Sequence, residues 1–153
     1  MVIAFGLILG VVLVLLSIVG TRYQSVRLAR GGDAEIVTRL ELRWWAAYLV
    51  LAALIYVGFA LREGVGDWMP LELLGVVVYA AFAVAGLRLR KGWLIAVGWA
   101  LHAAWDAGVH HDAPEGLVPA WYRWACLSYD WGAALYLLWR IRKTRIDASP
   151  EPK

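Results

Sequence analysis

Apolar residues run through this chain in five long blocks separated by short polar segments. A helix needs about 20 mostly apolar residues to cross the roughly 30 Å hydrocarbon core of a bilayer. The blocks are of that order: 2–20, 45–61, 70–87, 93–109 and 119–139. The first carries no charge. The third and fifth open at Pro70 and Pro119, first-turn positions where the missing N–H of proline costs nothing. The pattern predicts an all-α integral membrane helical bundle of about five transmembrane helices, forming one domain over residues 1–146. Residues 147–153, polar and with two prolines, read as a disordered cytoplasmic tail.

The basic residues set the orientation. Arg22, Arg27, Arg30, Arg39 and Arg43 follow the first block. Arg88, Arg90 and Lys91 follow the third, and Arg140, Arg142, Lys143, Arg145 and Lys153 follow the fifth. The two remaining connections hold only Arg62 and Arg123. Lys and Arg collect on the cytoplasmic side. The alternation therefore predicts an N-terminus outside and a C-terminus inside, in a multi-pass protein of the inner (plasma) membrane.

Composition points the same way. Of 153 residues, 62% are hydrophobic, against roughly 45–50% in soluble domains. A soluble fold this small leaves too much surface in water to hide that excess. Ten Trp and seven Tyr suit the two membrane–water interfaces, where amphipathic rings gather. The net charge of +3 is confined to alternate loops, so it marks topology and not a nucleic-acid partner. With Cys126 the only cysteine, an intramolecular disulfide is excluded.

The first block has no basic segment before it and no A-x-A site, so it is expected as a retained anchor and not a cleaved signal peptide. Its Gly6 and Gly10 form a GxxxG helix-contact motif. In the long connection that follows, Asp33 lies just beyond Gly31-Gly32 and can cap a helix running through Ile36, Val37, Leu40 and Leu42 into the second span. That stretch could lie on the cytoplasmic surface near anionic lipid, or simply anchor topology.

Charged residues inside a span are costly and are functional or paired. The fourth block and its exit hold His102, Asp106 and His110, each four apart and therefore on one helix face. The fifth carries Arg123, Cys126 and Asp130, and the third adds Glu72 near its outer end. In an antiparallel hairpin of the fourth and fifth helices, Arg123 comes level with Asp106, and Asp130 with the stretch from Trp99 to His102. One pocket near the outer leaflet could then gather His102, Asp106, His110, Arg123 and Asp130. His102, Asp106, His110 and Asp130 form a donor set suited to a divalent metal ion. His102, Asp106 and Asp130, with Arg123 as charge partner, could instead serve acid–base catalysis on a lipid or isoprenoid entering from the bilayer. The bland alternative is an Asp106–Arg123 ion pair and a His102–Asp130 hydrogen bond that hold helices together. All three His sit on one helix and its exit, which disfavours a bis-histidine haem.

The block His102-x-x-Trp105-Asp106-x-x-x-His110-His111, then Val118-Pro119-x-Trp121-Tyr122 and Cys126-x-x-x-Asp130, resembles a family of small uncharacterised bacterial multi-span membrane proteins. The resemblance covers the last third of the chain and implies no activity. Three function classes follow. One is a membrane enzyme or metal-binding protein using the His/Asp pocket. Another is a non-catalytic accessory subunit of a larger membrane complex. The third is a small proton-coupled transporter, which an odd span count disfavours unless the chain forms a homo-oligomer. Membrane lipid is the expected partner in each.

Overall fold

The computed structural model describes residues 1–30, 32–64, 66, 68–113 and 116–147. The side chains of residues 63, 111, 112 and 145–147 also lie outside that description, as do residues 148–153 of the tail predicted at 147–153. Every regular element among the described residues is helical: α1 (Val2–Ala29), α2 (Ala34–Glu63), α3 (Met69–Arg88), α4 (Gly92–Gly108) and α5 (Ala120–Asp147), with a short 3-10 turn over Val109–Asp112.

The helices outrun the apolar blocks that predict them. Helix α1 continues past Gly20 to Ala29, and α2 begins at Ala34 as one unbroken helix. Asp33 caps it, accepting from the Ile36 N–H at 3.0 Å. The stretch from Ile36 to Leu42 is thus the first part of α2 and no separate surface helix. At the other end Gly64 takes φ 64°, the left-handed conformation that closes a helix C-terminus.

Helices α1, α2 and α3 are each long and apolar enough to cross a membrane. Helix α4 has 17 residues, and α5 carries more polar residues. The surface is markedly apolar: Ile8, Leu16, Val19, Leu61, Val77 and Leu135 are each at least 63% exposed. Polar side chains go inward instead, among them Glu41, Glu72, His102, Asp106, His110, Asp130 and Arg140. A soluble core runs the other way, because burying charge costs more than burying methylenes returns.

Small residues let the helices approach closely. A Cβ on Gly10 would sit 2.1 Å from the Ala125 carbonyl oxygen, and one on Gly6 2.4 Å from that of Trp121. The Gly6/Gly10 motif is therefore the seat of α1 on α5, and Ser128 Oγ adds a hydrogen bond to the Leu7 carbonyl oxygen at 3.0 Å. In the middle of the bundle Trp45, Leu49, Tyr79, Ile95, Trp99 and Leu137 form the apolar core, interleaved with alanines. At the end of the bundle where α2 closes, Leu117 and Val118 fold under Tyr56 and Ala60, and Arg62 ties the connection down through the Gly116 carbonyl oxygen at 2.9 Å.

Candidate functional site

Helix α4 places His102 and Asp106 one turn apart on its inner face, and the 3-10 turn that ends it adds His110. Helix α5 brings Asp130 from the side, and α3 brings Glu72 in its first turn. All five are at most 3% exposed. They make a continuous row across three helices. His102 Nδ1 lies 2.8 Å from Asp130 Oδ2 and 3.7 Å from Asp106 Oδ2. On the far side of Asp106, Oδ1 is 3.4 Å from His110 Nδ1, and His110 Nε2 bonds Glu72 Oε1 at 2.8 Å.

The middle of this row is short of donors. In a neutral ring that donates from Nε2 to the Glu72 carboxylate, His110 Nδ1 carries a lone pair. That lone pair faces Asp106 Oδ1, another acceptor. Accordingly His110 Nδ1 and both Asp106 oxygens are buried without a hydrogen-bond partner. The hydroxyl of Tyr56, whose ring stacks on His110, is also buried without a partner. Most buried polar atoms are paired, so four orphans in one place mark a gap in the network. Three carboxylates meet two imidazoles, with the Arg123 guanidinium in the groove that Asp106 lines. A proton on Asp106 or a cation beside it fills the gap.

The donor set fits a metal ion. Ligand atoms of His102, Asp106 and Asp130 all lie within 4.8 Å of one another. Ions such as Zn²⁺ hold N and O ligands at about 2.0–2.2 Å, so a side-chain shift on the order of an ångström closes the three around one. Mixed imidazole and carboxylate donors suit zinc, iron or manganese. His110 offers Nδ1 from the other side of Asp106, and Glu72 then acts as the outer carboxylate that holds the ring in place.

Arg123 takes a different place from the expected partner of Asp106. Its Nη1 donates to the His110 carbonyl oxygen at 2.8 Å, while it shares with Asp106, Ala107, Trp124 and Leu127 the lining of a groove of about 280 Å³. It steadies the turn and borders a polar approach to Asp106 without hydrogen-bonding that carboxylate.

Two aromatic residues were not foreseen. Tyr56 of α2 stacks on His110 with centroids 4.2 Å apart and planes 4° from parallel. Tyr79 of α3 meets the edge of His102 at 4.7 Å. Both sit in apolar runs whose periodicity carries no trace of a site. A second buried pair also lacked a signal: Arg140 Nε bonds Glu41 Oε2 at 2.8 Å, and Tyr136 donates to Glu41 Oε1 at 2.7 Å. It looked like cytoplasmic loop charge because its two members are 99 residues apart.

Separate from the groove beside Asp106, with which it shares no lining residue, an apolar cavity of about 330 Å³ lies among α1, α2, α4 and α5, with Asp130, Cys126 and Tyr129 on its wall.

Among curated proteins and solved structures, nothing matches the chain. A family model described as a family of unknown function matches residues 34–143, which include all five members of the His/carboxylate row. By that match, over more than half its length, the chain belongs to the DUF6010 family.

Proposed function

We propose that this chain is a five-span plasma-membrane protein, N-terminus outside and C-terminus in the cytoplasm, that binds a divalent transition-metal ion within the bundle. His102, Asp106 and Asp130 hold the ion, His110 Nδ1 is a further donor, and Glu72 orients His110. The observation that carries this reading is the cluster of buried, unpaired acceptors on Asp106 and His110. The apolar exterior and polar interior support the membrane placement. At 17 residues α4 reaches the lower end of the roughly 17–25 that span a bilayer. The polar side chains that lower the hydropathy of α5 include Asp130 and Arg140, which point into the bundle.

The test is metal content of the detergent-purified protein by mass spectrometry, beside a His102→Ala/Asp106→Ala variant that still purifies as a folded monodisperse species. A near-stoichiometric transition metal lost in the variant supports the reading. No metal in either sinks it.

The His102–Asp130 and His110–Glu72 hydrogen bonds, both 2.8 Å, favour a second reading. They tie α4 to α5 and the end of α4 to α3, as in an accessory subunit whose polar pairs fix helix packing. That reading expects no metal, a loss of thermal stability on Asp130→Ala, and co-purification with a larger partner.

A further inference from the structure

The apolar cavity reaches the metal-binding row at one residue. Its wall comes from Ser17 of α1, Ala52 of α2, Trp99 of α4, and Ala125, Cys126, Tyr129 and Asp130 of α5. Asp130 is the one charged residue on that wall, and the carboxylate that approaches the cavity is the one bonded to His102.

The mouth lies on the apolar outer surface. Leu13, Leu51, Ile55 and Trp121 line the cavity, yet are 43%, 55%, 38% and 40% exposed. They form its rim. A molecule dissolved in the bilayer meets this opening directly, whereas a water-soluble one would have to cross hydrocarbon first.

Charge narrows the occupant. Among the described residues no Lys or Arg lines the cavity, so a phosphate or carboxylate head would face Asp130 without a cation on that wall to neutralise it. Like charges in a medium of low dielectric repel strongly. The Ser17 and Tyr129 hydroxyls already bond each other at 2.9 Å, so the wall can serve one small polar group and not a large polar head. A volume of about 330 Å³ lies near the lower bound of small-molecule pockets, roughly 300–1,000 Å³. It holds a head and the first part of a chain, and the rest can trail through the rim.

We propose that this cavity binds an uncharged lipid, one apolar chain ending in a single hydroxyl or carbonyl, which enters between α1 and α2 and presents that group to Asp130. Binding stands on the cavity alone; the lipid's role as a substrate rests on the metal-centre reading above. The cavity shares no lining residue with the groove of Asp106 and Arg123, so lipid and water-borne reactant would reach the centre by separate routes.

The experiment uses the full chain in phosphatidylcholine nanodiscs and two photoreactive probes. One is a sixteen-carbon alcohol with a diazirine near its hydroxyl, and the other is the matching carboxylic acid. Adducts are mapped by mass spectrometry. The alcohol should label Ala52, Ala125, Cys126 or Tyr129, and excess hexadecanol should suppress that labelling. The acid should label these positions about tenfold less, since an unpaired buried charge costs more than the roughly 1.4 kcal/mol that a factor of ten represents. Ala52→Phe, which fills the cavity away from Asp130, should reduce alcohol labelling by about tenfold or more, the scale on which a filled apolar pocket discriminates. Leu51→Trp, at the rim, gives the same test should Ala52→Phe fail to fold.

Equal labelling by both probes, or adducts spread only over the exposed face of α1, would overturn the proposal. So would full labelling of a folded Ala52→Phe protein. Metal content is measured on the same samples. Pocket labelling without metal leaves the lipid site standing and removes the metal centre. Metal without pocket labelling does the reverse.

Discussion

His110 Nε2 and Glu72 Oε1 lie 2.8 Å apart across the junction of α3 and the turn that ends α4. That contact decides which nitrogen of the ring faces Asp106. Partners of this kind, one step removed from a metal, typically change its affinity by about 10–100-fold when removed. Glu72→Ala is expected to weaken metal binding on that scale while the helix content stays that of the parent. Glu72→Gln keeps an acceptor oxygen and should lose less. Competition with a chromogenic chelator measures both, and an unchanged affinity in Glu72→Ala would refute the assigned role.

Metal bound to the folded state alone stabilises it by mass action, about 2.7 kcal/mol at a hundredfold excess over Kd. Thermal unfolding in detergent should therefore move to higher temperature when zinc replaces chelator. Asp106→Asn removes the charge around which the centre is built and should abolish that dependence. A zinc effect of equal size in Asp106→Asn would place the ion elsewhere.

Gly10→Ala puts a methyl within 2.1 Å of the Ala125 carbonyl oxygen and Ser128 Oγ. Helix α1 must shift from α5, and such overpacking costs typically about 1–3 kcal/mol. The cavity walls formed by Leu13 and Ser17 move with α1, whereas His102, Asp106 and Glu72 lie on α3 and α4, and Asp130 of α5 stays bonded to His102. A lower melting temperature with unchanged metal content is the expected result, checked by paired thermal and elemental measurements.

Glu41 is 1% exposed and holds Arg140 and Tyr136 by hydrogen bonds. Removing one partner of a buried ion pair strands the other charge and costs about 3–5 kcal/mol. Arg140→Met leaves Glu41 with the half-exposed Arg22 at 4.0 Å and the Tyr136 hydroxyl, and should destabilise toward the lower end of that scale. The double change Arg140→Met/Glu41→Leu should recover much of the loss, because neither charge is then left alone. A double-mutant cycle of chemical or thermal melts reads the coupling, and additive losses would mean the pair is not coupled.

Orientation can be tested with single cysteines in a Cys126→Ser background. Gly116→Cys should react with a membrane-impermeant maleimide on intact cells. Leu89→Cys should react only after permeabilisation. The opposite pattern would reverse the topology and place the groove beside Asp106 on the cytoplasmic side.

Much of this architecture was legible one helix at a time. Long apolar blocks gave five helices, because a helix in an apolar medium must satisfy its own backbone polar groups. Asp33 was readable as a cap because its side-chain oxygen acts on an N–H three residues ahead. His102, Asp106 and His110 were readable as one face because four residues make about one helical turn. The lengths were harder. Helices α1 and α5 run on through Arg-bearing segments beyond the predicted spans, since a helix need not stop where hydrocarbon stops.

Partner choice between helices was another matter. Arg123 was matched to Asp106 by depth, yet it reaches the His110 carbonyl oxygen, because depth along an axis says nothing about rotation around it. Tyr56, Tyr79 and Glu41 gave no signal for the same reason. The amino-acid sequence by itself determined the helices, the inward face of α4 and the kinds of donor it carries, all of which follow from local periodicity. Only the tertiary structure decided that Glu72 would take one nitrogen of His110 and leave the other facing an unpaired Asp106. That outcome depends on how α3, α4 and α5 rotate and register against one another, set by close small-residue contacts spread over the whole bundle.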